Sequence, residues 1–173
     1  MATTKQYPAP VPKRNYKSRM FEMIFSDKKE LLELYNAMNG TNYADPDDLI
    51  VNTLENAIYM AMHNDVSFLI DKRLNLYEHQ STYSPNLPLR FLFYVADVYS
   101  DFTKERNLYG SKTVKIPTPH FIIFYNGTEE QPDKRELRLS DTFQLKEEEP
   151  QLELKATMLN INKGHNKKLM DAC

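Results

Sequence analysis

Hydrophobic positions along the chain follow two rhythms, a helical one near the beginning and a strand-like one from residue 66, with a second helical stretch between the strands. Leu31, Leu32, Leu34, Tyr35 and Met38 recur at helical spacing, which predicts an amphipathic helix. Ser26 is its expected N-cap, with Asp27 in the first turn, where a negative charge suits the helix dipole. Gly40 is its expected stop. Phe21, Ile24 and Phe25 predict a short preceding helical turn on the same core. Upstream, residues 1–15 carry Pro8, Pro10 and Pro12 among small and basic residues and read as a flexible arm.

After a polar loop from Thr41 to Asp48, the segment 49–54 reads as a short strand, and 58–62 fits either strand or helix. Val66 to Ile70 and Leu74 to Glu78 are strand-like runs separated by Asp71, Lys72 and Arg73, which is hairpin spacing. Ser81 to Pro88 reads as a loop, and Leu89 to Thr103 as a helix turning Phe91, Leu92, Val95, Ala96 and Tyr99 inward. His120 to Tyr125 is a buried strand ending at the turn signal Asn126-Gly127. Arg135 to Leu139 and Leu152 to Ile161 complete the expected sheet, with a charged connection from Lys146 to Pro150. Helix, strands, helix, strands is the order of a single α/β or α+β domain.

The hairpin brings chemistry with it. A turn centred on Asp71 and Lys72 places residue 65 opposite residue 78, and directly opposed residues have Cβ atoms about 5 Å apart. Alternation puts Gln80 on the same face as Glu78. Asp65, Glu78 and Gln80 thus converge at the open end of the hairpin. Two carboxylates so close repel unless a cation lies between them. Oxygen donors of this hardness suit Mg2+ or Mn2+. On spacing alone, acidic residues at strand ends are more often solvated surface groups.

Bulk properties narrow the field. The 173 residues are the length of one domain, and the net charge of −2 argues against a protein that coats nucleic acid by bulk electrostatics. One cysteine, Cys173, gives no internal disulfide and no sign of an oxidising compartment. No run is long and apolar enough for a signal or a membrane span. The expectation is a cytoplasmic protein with no membrane partner.

The strings around the candidate residues resemble a known family. Asn64-Asp65-Val66-Ser67-Phe68, Glu78-His79-Gln80-Ser81-Thr82 and Pro88-Leu89-Arg90 are similar to the Rpn family of recombination-promoting nucleases, often labelled putative transposases, within the PD-(D/E)XK superfamily. The likeness continues through Leu31 to Ala37, Tyr125 to Glu130 and Asn160 to Asn166, covering nearly all of the chain from Tyr16. It implies a restriction-endonuclease-like α/β core, a mixed central sheet flanked by helices, spanning 16–173. It also implies a Mg2+-dependent DNA endonuclease, with Mn2+ as a substitute ion and DNA as partner; a homodimer belongs to the rival reading, a module that binds without cutting. The superfamily's strand aspartate falls on Asp65, its glutamate on Glu78 and its lysine position on Gln80. A glutamine orients water by hydrogen bonds but holds no proton to exchange. The family's first-helix acid falls at Ser18, and Glu22, one turn away, is the expected replacement. Family members run on past the equivalent of Cys173, so the chain reads as the N-terminal nuclease core.

Other positions complete the expectations. Arg90, Lys104, Arg106 and Lys112 are candidate contacts to DNA phosphate, as are Lys115 and the run Lys163, His165, Lys167 and Lys168; solvated charge is the commoner role for such groups. His63, His79, His120 and His165 lack zinc-site spacing. Ser67 and Ser81 have no recognisable histidine–acid partners. Tyr83 stacks on a base or packs in the fold. The rival to the enzyme is an inactive nuclease-fold module that binds DNA or a protein.

Overall fold

Asp27 starts the first helix, α1 (Lys28–Asn39), by accepting the Lys29 amide at 2.8 Å. The cap is therefore Asp27 rather than Ser26, because a carboxylate in extended backbone already reaches the amide two residues on. Gly40 closes the helix at φ 64, its N–H on the Asn36 carbonyl. The computed structural model describes residues 27–51 and 66–170. The expected N-terminal arm, the turn at Phe21, Ile24 and Phe25, the positions Ser18, Ser26 and Glu22, the segment 52–64, Asp65 and Cys173 lie outside the described residues.

The loop after α1 contains a short 3-10 turn at Pro46–Asp48, capped by Asp45 on the Asp47 amide, where the sequence predicts only loop. Strand β1 (Ile50–Val51) pairs antiparallel with β2 (Val66–Ile70), which forms a hairpin with β3 (Arg73–Gln80). The hairpin turn is only Asp71 and Lys72, at φ 45 and 61, so Arg73 belongs to the strand. Positive φ at both turn residues gives the backbone twist that suits paired strands.

Helix α2 (Leu87–Thr103) begins two residues earlier than its apolar rhythm predicts. Pro88 sits in the first turn, where its missing N–H leaves no bond unmade. Phe91, Tyr94 and Val95 face the sheet, while Ala96 is exposed, contrary to the expected stripe. A helix this apolar does not reveal its buried face by composition, and Tyr94 takes the inward place instead. Strands β4 (Thr118–Tyr125), β5 (Lys134–Arg138) and β6 (Lys155–Asn160) and a short helix α3 (Lys167–Met170) follow. Leu139 leaves β5 to start a second 3-10 turn, and Leu152 precedes β6, so both expected strands are trimmed.

The described strands form one six-stranded sheet in the order β1-β2-β3-β4-β6-β5. β3, β4 and β6 are mutually parallel, and the remaining pairings are antiparallel. This is a mixed α/β fold with helices on both faces. Leu74, Leu76, Ile123, Tyr125, Ala156 and Met158 pack under α2. Val66, Phe68, Ile70, Tyr77 and Phe124 pack under α1 through Leu31, Leu32, Leu34 and Tyr35. On that face Tyr35, Phe68, Tyr77 and Phe124 form a chain of edge-to-face rings with centroids 6.0, 5.0 and 5.4 Å apart. β3 is buried on both faces, as a central strand must be, and residues near its carboxyl end are held by packing on either side. Among the described residues no helix is long and apolar enough to cross a membrane.

Candidate active site

Alternation along β3 sends Leu74, Leu76, Glu78 and Gln80 to the α2 face and Tyr77 and His79 to the other. Two leucines anchor the strand, and the same face then turns polar where it runs out from under α2. Glu78 is only 2% exposed. Its Oε1 accepts from Gln80 Nε2 at 2.8 Å and from Arg90 Nη2 at 2.7 Å. Arg90 reaches it from the first turn of α2, where Leu87 and Phe91 are buried on either side. Its Nη2 also donates to the Tyr94 hydroxyl at 3.3 Å, one helical turn along.

The electrostatics follow from these contacts. Burial opposes the charge on Arg90, and the Glu78 carboxylate with the Tyr94 hydroxyl outweighs it, so the guanidinium is held above its usual range. Glu78 therefore sits beside a cation that stays charged at every ordinary pH. Expectations for Arg90 as a phosphate contact meet a competing occupation, because its inner edge is already spent on Glu78.

The hairpin pairs Val66 with Tyr77 and Ile70 with Arg73, which is the register behind the expected opposition of residues 65 and 78. Asp65 itself lies outside the described residues, as does Glu22. For a hard divalent cation the donors present fit in kind: a carboxylate at Glu78 and the amide oxygen of Gln80, whose NH2 is turned to Glu78. In number they are few, since the described residues contain no group of three or more acidic, histidine or cysteine side chains.

Of the other candidates, His79 is buried on the opposite face and Ser67 is buried in β2. Lys104, Arg106, Lys112 and Lys115 are exposed and lie at the far end of the sheet. Their loop leads from the end of α2 to Thr118, whose amide bonds the Lys72 carbonyl at the hairpin turn. The fourteen residues from Arg90 to Lys104 place that loop about 20 Å away along the helix. Lys163, His165 and Lys167 instead follow β6 at the same end as Glu78.

Three polar features at that end are barely announced by the sequence pattern. Asn160, Asn162 and Asn166 tie the loop after β4 to the loop after β6. Their side-chain amides donate to the carbonyls of Gln131, Gly127 and Asp133 at 2.7, 3.0 and 2.6 Å. His165 Nδ1 meets Asp133 Oδ1. Arg135 lies over the Tyr83 ring. The only legible hint is the density of asparagine from 160 to 166. The chain matches no protein-family model, no curated protein and no solved structure.

Proposed function

We propose that this chain is a cytoplasmic DNA endonuclease domain of the PD-(D/E)XK type, related to the Rpn recombination-promoting nucleases and acting in recombination or mobile-DNA chemistry with Mg2+ or Mn2+. The observation that carries the reading is the pairing of Glu78 and Gln80 on one face at the carboxyl end of a buried central strand. That is where ligands approach open α/β sheets. The preceding strand runs antiparallel in the register that would set Asp65 opposite Glu78.

In this reading Asp65 and Glu78 hold the cation. The chemistry supplied by a bound Mg2+ or Mn2+ is polarisation of the phosphodiester and acidification of water. Gln80 spends its NH2 on Glu78, and its carbonyl oxygen accepts from the attacking water and aligns it. It takes no proton, so no general base stands at that position. Arg90, bonded to Glu78, offsets negative charge as substrate phosphate approaches.

One observation favours the rival reading. Glu78 already pairs with the Arg90 guanidinium, an ion pair that suits a nuclease-fold module that binds DNA or protein without cutting. Isothermal titration of Mn2+ into the full chain separates the two. The nuclease reading expects saturable binding that Glu78→Gln and Asp65→Asn each weaken by roughly tenfold or more. Equal heats from all three proteins would remove these residues from any metal site.

A further inference from the structure

A second polar arrangement lies on the α2 face, three strands from Glu78. Register ties the two together: Glu78 pairs with Ile123, Ile123 with Met158 and Met158 with Arg135. Ile123 and Met158 pack under α2, so Arg135 projects from the same face as Glu78. Three strand spacings of about 4.8 Å make the row about 14 Å long.

Arg135 is exposed, yet it is held. Its guanidinium lies over the Tyr83 ring, 4.7 Å from the centroid. Nη1 donates to Gln131 Oε1 at 3.1 Å, and Gln131 is only 5% exposed. The Gln131 carbonyl is fixed in turn by Asn160 Nδ2 at 2.7 Å. Tyr83 packs against the core under α2. Arg73, Arg90 and Arg138 each have a carboxylate partner, but none of the ion pairs among the described residues includes Arg135. A guanidinium positioned by a ring and a buried amide, with its charge unspent, is prepared for an external anion at small entropic cost.

We infer that Tyr83 and Arg135 form a backbone contact for a DNA strand lying along the carboxyl rim of β3, β4 and β6. The choice of DNA as the anion rests on the nuclease reading. A duplex advances ~3.4 Å of helix axis per phosphate of each strand, so the row from Glu78 to Arg135 spans about four base-pair steps of a duplex laid along it. Exposed Lys163, in the loop after β6, extends the same rim. This arrangement explains how a chain with net charge −2 grips a polyanion: through a few fixed cations on one edge rather than a basic surface.

The test is fluorescence anisotropy of the full chain with labelled oligothymidine and with a labelled duplex, in EDTA so that nothing is cut. Arg135→Ala is expected to weaken binding roughly tenfold and to lower the slope of log K against log salt by about 0.7 to 0.9. Arg135→Lys restores the slope but not the full affinity, since an ammonium is a point charge without the fork or the stacking. Arg138→Ala, on the other face of β5 and paired with Glu136, is the control. Arg135→Ala matching that control in affinity and slope overturns the inference, even if its Tm has fallen, because the pair is then a structural staple. Wild-type chain that binds neither probe overturns it too. Binding that depends on Arg135, in a protein that never nicks plasmid, sinks the nuclease reading and leaves the contact standing.

Discussion

Arg90 Nη2 lies 2.7 Å from Glu78 Oε1, so one ion pair fastens the first turn of α2 to the carboxyl end of β3. Taking two charges out of water is costly, and the pair repays it only while both members remain. Arg90→Ala leaves a buried carboxylate with Gln80 as its neutral donor. We expect a loss of about 3 kcal/mol in urea denaturation, and Glu78→Gln combined with Arg90→Gln recovers part of it. A single variant within a few tenths of wild type would show that the carboxylate is satisfied without Arg90.

Acid sensitivity should come from His120 before it comes from surface carboxylates. Burial pushes its imidazole below the usual value of 6.5, and the nearby Arg73 guanidinium adds to the depression. The neutral ring is thus favoured in the folded state. Its contribution is complete above about pH 6.5 and is lost as pH falls from there through the folded value. Urea midpoints between pH 8 and 5 should fall for wild type and stay flatter for His120→Gln. A common slope for the two proteins would assign the acid response elsewhere. Glu153 acts lower on the scale. Burial alone would raise its carboxyl, but bonds from the Ser140 hydroxyl and amide and the Leu154 amide outweigh this and depress it, so its share disappears only below about pH 4.5.

Two glycines should respond to alanine for different reasons. At Gly127 a Cβ would meet the Tyr125 hydroxyl at 2.4 Å and the Ser81 carbonyl at 2.5 Å. Gly127→Ala must move the turn after β4 away from the loop after β3, at about 1–3 kcal/mol. At Gly40 nothing lies within 4 Å, but φ is 64. Gly40→Ala costs about 1 kcal/mol through backbone strain alone, and Gly40→Asn less. Thermal denaturation that ranks Gly40→Asn below Gly40→Ala would count against this division.

The hairpin turn offers a stabilising change. Lys72 holds φ 61 without being glycine, and its carbonyl accepts the Thr118 amide, a bond that Gly keeps. Lys72→Gly should raise stability by up to about 1 kcal/mol by relieving the left-handed strain. A fall in the urea midpoint would mean that the Lys72 side chain contributes more than its backbone costs.

The hairpin and its register are legible because short apolar runs on both sides of a three-residue break leave few ways to pair. Alternation along the second strand then gives the shared face of Glu78 and Gln80. The helix stop at Gly40 is legible for a similar reason, since one residue type suits the position. The inward face of α2 is not. Leu89, Phe93 and Ala96 are as apolar as Phe91 and Val95, and only the sheet beneath decides which are covered. Arg90 is visible as a cation, but its bond to Glu78 is set by where a helix lands on a strand. Arg135 and Tyr83 are further still from any local pattern, because they lie 52 positions apart in sequence and two strands, β4 and β6, stand between β3 and β5 in the sheet. The basic loop from Lys104 to Lys115 reads as either a substrate contact or solvated charge, and only topology shows that it lies at the opposite end of the sheet from Glu78.

The nuclease reading stands or falls most directly on nicking of supercoiled plasmid by the full chain in Mg2+, in Mn2+ and in EDTA, with Asp65→Ala and Glu78→Gln alongside. The predicted result is metal-dependent conversion to open circles by wild type, abolished in EDTA and reduced at least about a hundredfold in both folded variants. Intact plasmid with wild-type chain, or equal nicking by all three proteins, would contradict it and leave a fold that binds without cutting.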